Sequence, residues 1–548
     1  MRISQTAFLL LFLVLFLYVL WPYGSPQVAE LRQGREFVDA ETMLRLDPLL
    51  SLAVSLASRT LVAALAWAGV VLLFGVIFPR VFCGYVCPLG TLIDLWDWAV
   101  ARRVRRFRAC RHGHWVHVKY YLLAAVLVAA LCGGMVAGYV APIALLTRGL
   151  LVTLAPLEVG LTRGWNLVPL MHLGHALAAV PLLGVLILSF LGPRFWCRYV
   201  CPTGALFSLA ARLRLTDRKV SEACVRCGRC RASCPFDAIR DDFTTRGADC
   251  TFCQICGGAC PVGAIQFTHR WDRGESWKAR QPDADDGVSL SRRGFLVGAA
   301  GGLAGFAVTR YVRPAARSGD DTWTPVRPPG SVPEEQFLQQ CIRCGECMKA
   351  CPNHCLQPLG FRQGLEGLWT PHVVADWTGC HENCNNCGQV CPTGAIRALD
   401  LAEKRVVRIG RAVVNEKTCL PHSGKAACRL CHDQCATAGY GAIEFIRLHV
   451  ELDEDGLPVE DTGFDAPVVD AEKCVGCGQC QSRCHAVNVV DRDALAEAAI
   501  VTRAGQGRDD RLTSGSYLEL REAERRRRQQ QQKNRPPEQG TYLPDYLK

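Results

Sequence analysis

The spacing of its cysteines constrains this chain more than any other feature. Of 548 residues 31 are cysteine, and most stand only two or three residues apart. Cys224, Cys227, Cys230 and Cys234-Pro235 follow the pattern C-x2-C-x2-C-x3-C-P, and Cys250, Cys253, Cys256 and Cys260-Pro261 repeat it. Three closely spaced thiolates can wrap three irons of one cubane, while the fourth, turned away beside its proline, ligates the neighbouring cluster. The pattern therefore predicts two 4Fe–4S clusters, one on Cys224, Cys227, Cys230 and Cys260, the other on Cys250, Cys253, Cys256 and Cys234. Zinc also accepts thiolate quartets, but two intact copies of this spacing favour iron–sulfur. Disulfide frameworks belong to small secreted chains and usually join distant segments, so they fit these tight runs poorly.

Four more quartets follow. Cys341, Cys344, Cys347 and Cys351 keep the same spacing, as do Cys474, Cys477, Cys480 and Cys484. Cys380, Cys384, Cys387 and Cys391 carry one extra residue in the first gap, and Cys419, Cys428, Cys431 and Cys435 have a wide first gap. Six clusters are expected in all. Cys428-Arg429-Leu430-Cys431-His432 also matches the C-x-x-C-H pattern of c-type haem attachment, but haem would leave Cys419 and Cys435 unused. Spacing alone does not say which quartets exchange their fourth ligand. Cys110, Cys132 and Cys355 lie outside every quartet and read as structural or incidental.

The first part of the chain is apolar. Four stretches, approximately 6–23, 61–78, 120–142 and 174–191, approach the roughly 20 residues that cross a bilayer, and they predict an α-helical membrane domain. The first lacks a small-residue cleavage site, so it reads as an anchor. Much of the net charge of +11 lies in Arg102, Arg103, Arg105, Arg106, Arg108 and Arg111 and in the tail at Arg525–Arg528. The first cluster and the stretch after residue 191 read as cytoplasmic loops; no nucleic-acid motif accompanies them. An internal repeat stands out: Phe82-Cys83-Gly84-Tyr85-Val86-Cys87-Pro88-Leu89-Gly90 matches Trp196-Cys197-Arg198-Tyr199-Val200-Cys201-Pro202-Thr203-Gly204. These two C-x3-C-P elbows, with Cys83, Cys87, Cys197 and Cys201, are candidate redox thiols or metal ligands; their alternative role is to end a helix. His172 and His175 share a helix face and could meet a quinol or a b-type haem.

The chain divides into a helical domain with the elbows (1–215), a two-cluster domain (216–270), a linker (271–335), a four-cluster domain (336–500) and a charged tail (501–548). The fold class expected is an α-helical membrane domain plus two α+β bacterial-ferredoxin-like 4Fe–4S domains. Within the linker, Ser291-Arg292-Arg293-Gly294-Phe295-Leu296 precedes a Gly/Ala-rich run, as twin-arginine signals do. Such signals are receptor-read addresses.

These motifs carry a resemblance. Residues 1–270, with the elbows and the two-cluster domain, resemble NapH-type membrane ferredoxins; residues 291–500 resemble the NapG/MauM-type ferredoxins, which begin with a twin-arginine signal and hold four clusters. The resemblance implies electron flow from the quinol pool or a cytoplasmic donor to a periplasmic oxidoreductase. It also implies an inner-membrane, multi-pass location, with the first ferredoxin domain cytoplasmic and the second periplasmic. In related four-cluster proteins the first quartet shares ligands with the fourth and the second with the third. By that analogy Cys484 completes the site of Cys341, Cys344 and Cys347, and Cys351 that of Cys474, Cys477 and Cys480. Cys435 would join Cys380, Cys384 and Cys387, and Cys391 would join Cys419, Cys428 and Cys431. No nucleophile–base set or nucleotide loop is evident, so an electron carrier is expected. The alternatives are a quinol dehydrogenase component and a redox accessory factor for metalloenzyme maturation.

Overall fold

The computed structural model describes residues 2–18, 41–61, 64–78, 80–104, 117–272, 292–311, 323–451 and 462–533, with isolated positions between. Cys110, the arginines at 105–111, most of the segment 271–291 and the last fifteen residues lie outside the described residues.

Helices build the first part: α1 (Arg2–Tyr18), α2 (Pro48–Ser58), α3 (Ala64–Ile77), α4 (Pro88–Trp96), α5 (Val118–Leu131), α6 (Pro142–Thr153), α7 (Ala155–Thr162), α8 (Leu173–Leu188) and α9 (Pro202–Ala210). Proline opens α2, α4, α6 and α9, where its missing N–H is no loss and its fixed φ suits the helix. The four expected spans do not appear as single helices of membrane length. Among the described residues no single helix is long and apolar enough to cross a membrane; only the bent pair α6–α7, broken by 41°, passes a test of length and composition. The reason is local. The run 120–142 stops at Leu131, where Cys132-Gly133-Gly134 breaks the helix with Gly133 in a left-handed conformation. The run 61–78 yields a helix of fourteen residues, about 21 Å long at 1.5 Å per residue. The expected α+β character is likewise slight, since among the described residues every sheet has only two strands.

The first cysteine-rich unit is framed by an antiparallel ribbon, β1 (Thr216–Val220) with β2 (Ile265–His269), registered from Thr216↔His269 to Val220↔Ile265. It docks at the N-terminal end of α5. There the fully buried Lys119 donates to Asp249 at 2.7 Å, and Tyr85 donates from its hydroxyl to the Phe252 carbonyl at 2.9 Å. Burial alone would raise the Asp249 carboxyl, yet Lys119 and Arg80 hold it below its ordinary value.

The second unit meets the other end of α5. Arg343 donates to the Met135 carbonyl at 2.8 Å, and Tyr139 donates to the Leu365 carbonyl at 2.5 Å. A further helix, α10 (Arg292–Tyr311), runs along α5. Gly298 and Gly302 make the approach possible: a Cβ at Gly302 would stand 2.5 Å from the Ala125 carbonyl oxygen. Three ribbons frame the second unit: β3 (Leu356–Pro358) with β4 (Pro371–Val373), β5 (Arg411–Val414) with β8 (Ile500–Arg503), and β6 (Ile443–Leu448) with β7 (Phe464–Val469). Residues 323–333, placed in the linker by sequence, pack into this unit: Val373 donates to the Val326 carbonyl at 2.8 Å. The basic segment near 525 continues a helix, α11 (Tyr517–Lys533), whose Tyr517 is fully buried.

Candidate iron–sulfur sites

Four quartets with C-x2-C-x2-C spacing share one backbone device. The residues before and after the second cysteine both adopt left-handed φ: Arg226 and Gly228, Phe252 and Gln254, Arg343 and Gly345, Gly476 and Gly478. Such conformations are costly for non-glycine residues, and successive reversals of this kind turn backbone N–H groups into a concavity suited to an anion. No left-handed residue lies inside the irregular runs 380–387 and 428–431. Spacing thus dictates the loop.

Hollows of nearly one size lie inside these loops. Cys224, Cys227, Cys230 and Cys260 line one of about 340 Å³. Cys234, Cys250, Cys253 and Cys256 line another of about 360 Å³. The two quartets therefore exchange their fourth cysteines in the crossed manner expected from spacing. In the second unit, Cys341, Cys344, Cys347 and Cys391 line one hollow, and Cys419, Cys428, Cys431 and Cys484 line another, each of about 360 Å³. Here the geometry departs from the pairing implied by resemblance. Cys391, not Cys484, closes the first site, and Cys484, not Cys391, closes the site of Cys419. Cys351 is the near neighbour of Cys380, Cys384 and Cys387, and Cys435 that of Cys474 and Cys480. The first quartet exchanges with the second and the third with the fourth, so the unit is two tandem copies of the arrangement at 216–269.

The thiols suit a cluster. Burial and the charge of neighbouring thiolates push Cys250, Cys384, Cys431 and Cys477 up to about 12. Packed thiolates without a cationic core would be prohibitively costly, whereas iron supplies that core. Among the described residues no three ligating side chains converge as they would on a single ion; the thiols stand around a larger space. Backbone amides point at the sulfurs: Ala238 to Cys234 at 3.3 Å, Ala264 to Cys260 at 3.3 Å, Ala412 to Cys474 at 3.4 Å and Ala442 to Cys435 at 3.3 Å. Asn488 reaches both Cys428 and Cys484 at 3.7 Å. Such donors favour anionic sulfur. Cys355, outside every quartet, is buried with its sulfur 3.4 Å from that of Cys351; its position beside two quartets was invisible to spacing rules.

The two elbows superpose as motifs. Each is a π-helical turn closed by a bond from the second cysteine, Cys87 N–H to the Phe82 carbonyl at 2.8 Å and Cys201 N–H to the Trp196 carbonyl at 2.9 Å. π-turns of this kind concentrate at functional sites. The cysteines then take φ −61°, ψ 112° and φ −61°, ψ 113° before Pro88 and Pro202 start α4 and α9. Arg80 and Arg194, at equivalent places before the elbows, are each 1% exposed and cross over. Arg80 donates to the Cys197 carbonyl at 3.3 Å; Arg194 donates to the Cys83 carbonyl at 2.9 Å. Both guanidiniums also face the ring of Phe236, at 5.6 and 4.7 Å. Sequence reading overlooked this pair, although the repeat extended two residues upstream would have shown an arginine in both copies.

His172 and His175 cap α8: the Gly174 N–H donates to His172 Nδ1 at 3.1 Å, and the rings lie 4.3 Å apart. Burial holds His175 down at about 4. Arg292 and Arg293 start α10, which is packed along α5.

Comparison with known proteins agrees with the cysteine chemistry. Residues 60–107 and 175–221 match one family model described as a 4Fe-4S binding domain, and residues 218–240 match a second of the same description. The chain is 36% identical over 198 residues to the methylamine utilization ferredoxin-type protein MauM of Methylorubrum extorquens, covering 35% of this chain and 82% of that protein. It is 35% identical over 202 residues to the ferredoxin-type protein NapG of Escherichia coli, covering 35% and 80%. To NapG of Haemophilus influenzae it is 28% identical over 285 residues, covering 49% and 93%. No solved structure matches.

Proposed function

The chain belongs to the family of ferredoxin-type proteins that includes MauM and NapG, and from that premise we propose that it relays electrons between a donor and an oxidoreductase through two separate iron–sulfur units. That it is an iron–sulfur electron-transfer protein follows from its relatives and its 4Fe–4S domains. The observation that carries the relay is the helical module between the units. Lys119, at the start of α5, touches the first unit; Met135, just beyond its end, touches the second. The α5 helix has fourteen residues, so the contacts stand roughly 20 Å apart. A fixed spacing of this kind suits transfer between units better than storage within one.

Six clusters are part of the proposal, held by the crossed quartets described above. At Cys428 and Cys431 a cluster is preferred to haem because four thiols, not two, face that hollow. When bound, each cluster supplies one-electron redox chemistry. The chain's own residues set burial, hydrogen bonds to sulfur and nearby charge. The donor in this reading is the quinol pool or a cytoplasmic reductant, and the acceptor is a periplasmic oxidoreductase. Location at the inner membrane belongs to the same reading, supported by outward-facing apolar residues such as Trp67, Leu73, Leu183 and Ile187.

A deletion strain tests the relay. A partner oxidoreductase that is fully loaded with its own cofactor but starved of electrons is the expected result. A partner lacking its cofactor would replace the relay with the maturation role.

A further inference from the structure

The two halves matched by the 4Fe-4S model pose an arithmetic problem. Residues 60–107 contain only Cys83 and Cys87, and residues 175–221 only Cys197 and Cys201. A cubane needs four ligands, so neither half can hold one alone. The fold brings the two pairs together: Arg80 donates to the Cys197 carbonyl at 3.3 Å, Arg194 donates to the Cys83 carbonyl at 2.9 Å, and all four cysteines belong to one apolar cluster. We propose that Cys83, Cys87, Cys197 and Cys201 jointly ligate one further 4Fe–4S cluster, shared between the two elbows across their pseudo-twofold relation.

Three observations support a shared anionic centre there. Arg80, Arg194 and Lys119 are buried around the elbows, against the carboxylates of Asp94 and Asp249. Asp47, buried and bonded by Thr203 of the second elbow, is a third carboxylate there, while Arg80 Nε has no hydrogen-bond partner. A buried guanidinium with an open donor is costly, and four thiolates around a cubane supply negative charge and acceptors. Donors already face the sulfurs, with the Gly204 N–H 3.3 Å from Cys201 Sγ at the start of α9. The reciprocal bonds from Arg80 and Arg194 also lock the halves into one body. A purely structural elbow would not require the two copies to meet through their cysteines.

Position gives the site a purpose. One continuous apolar cluster contains Phe236 and Cys234 of the first unit, all four elbow cysteines, and Ile342 and Cys344 of the second. Phe236 also lines the hollow of Cys234 and Cys250 while bearing both arginines. The elbow site is therefore an intermediate stop between the units. This rests on the electron-transfer reading above, but its test does not require electron flow.

The test is metal and sulfide analysis with Mössbauer spectroscopy on the purified, anaerobic full chain. Wild type should hold about 28 irons, seven cubanes, rather than about 24. C87A and C201A should each lose about four irons and leave the others unchanged, and the double variant should lose no more. A wild-type count of about 24 with unchanged variants overturns the proposal, as does one zinc per chain that disappears in them. Separate, additive losses would overturn the sharing. Should the cysteine variants fail to fold, R80Q keeps every ligand; it should retain all the iron and lower the potential of one cluster. Unaltered potentials in R80Q alongside a wild-type count of about 24 would reject the site. Failure here leaves the iron of the six crossed sites in place, so it is distinguishable from failure of the relay.

Discussion

The first unit and the second solve the same ligand problem with different amounts of protein. Between β1 and β2 the first crosses two regular quartets, and part of its ligand set faces outward: Cys227 is exposed. The second spends more chain on four quartets and buries Cys344, Cys347, Cys351, Cys387, Cys480 and Cys484. It pairs one regular quartet with one irregular quartet in each half. The regular loop carries its own left-handed turns, whereas the irregular loop is held by its surroundings, as where Cys380 N–H donates to the Cys477 carbonyl at 2.7 Å. Strict spacing makes a small unit sufficient; relaxed spacing needs a larger shell. That shell includes the buried Lys404, whose ammonium is held charged, against the cost of burial, by Cys380, Cys384 and Cys477. Solvent exposure and nearby charge both tune cluster potential, so the two units should differ in potential as well as in size.

The sharpest break of this comparison is at the exchanged ligands. C391A should abolish the cluster of Cys341, Cys344 and Cys347 and lower iron by about four per chain, leaving the signals of the first unit intact. Retention of that cluster in C391A together with its loss in C484A would restore the pairing implied by resemblance. Next in size is the seam between α5 and α10. Gly302→Val should destabilise the chain by about 1–3 kcal/mol through overpacking, read as a lower unfolding midpoint with the cluster spectra unchanged at low temperature.

A pH series isolates the second unit's shell. Glu334 bonds Arg327 at 2.6 Å, and despite burial Arg327 and Arg511 hold its carboxyl at about 2, below the usual 4.5. A depressed acid stabilises above its unfolded value and loses that contribution as pH falls through the folded one. Wild type should therefore melt above E334Q near pH 6, and the gap should close between about pH 4.5 and pH 2; a pH-independent gap would refute the assignment. The smallest effect expected is K404M. Removing this cation should lower potentials in the second unit by on the order of 40 mV, the one-electron equivalent of about 1 kcal/mol. EPR-monitored titration should show no shift in the first unit.

Much of the site was legible because covalent spacing is short-range information. Three cysteines two residues apart can only face one centre, and the crossed partner in a two-quartet unit has no competitor. In the four-quartet unit several candidates exist for each fourth ligand. The choice of Cys391 over Cys484 depends on which half each cysteine folds into, with Pro371 of β4 lining the first hollow and Val414, Pro467 and Ile500 of β5, β7 and β8 lining the other, which spacing does not encode. The four single-helix spans were misjudged for a related reason. Hydropathy summed over 120–142 ignored the left-handed turn at Gly133 that divides the run and presents Met135 and Tyr139 to the second unit.

By itself the sequence determined the chemistry: repeated thiolate quartets for iron–sulfur clusters, the crossed pair at 224–260, and a duplicated elbow. Those properties reside in residue identity and intervals of a few positions. The tertiary structure decided which distant cysteines share a hollow, how α5 separates the two units, and that Arg80 and Arg194 reach across to each other's elbow. The shared hollows join cysteines several tens of positions apart and the crossed arginines reach more than a hundred positions, and only the packing of the whole chain fixes such contacts.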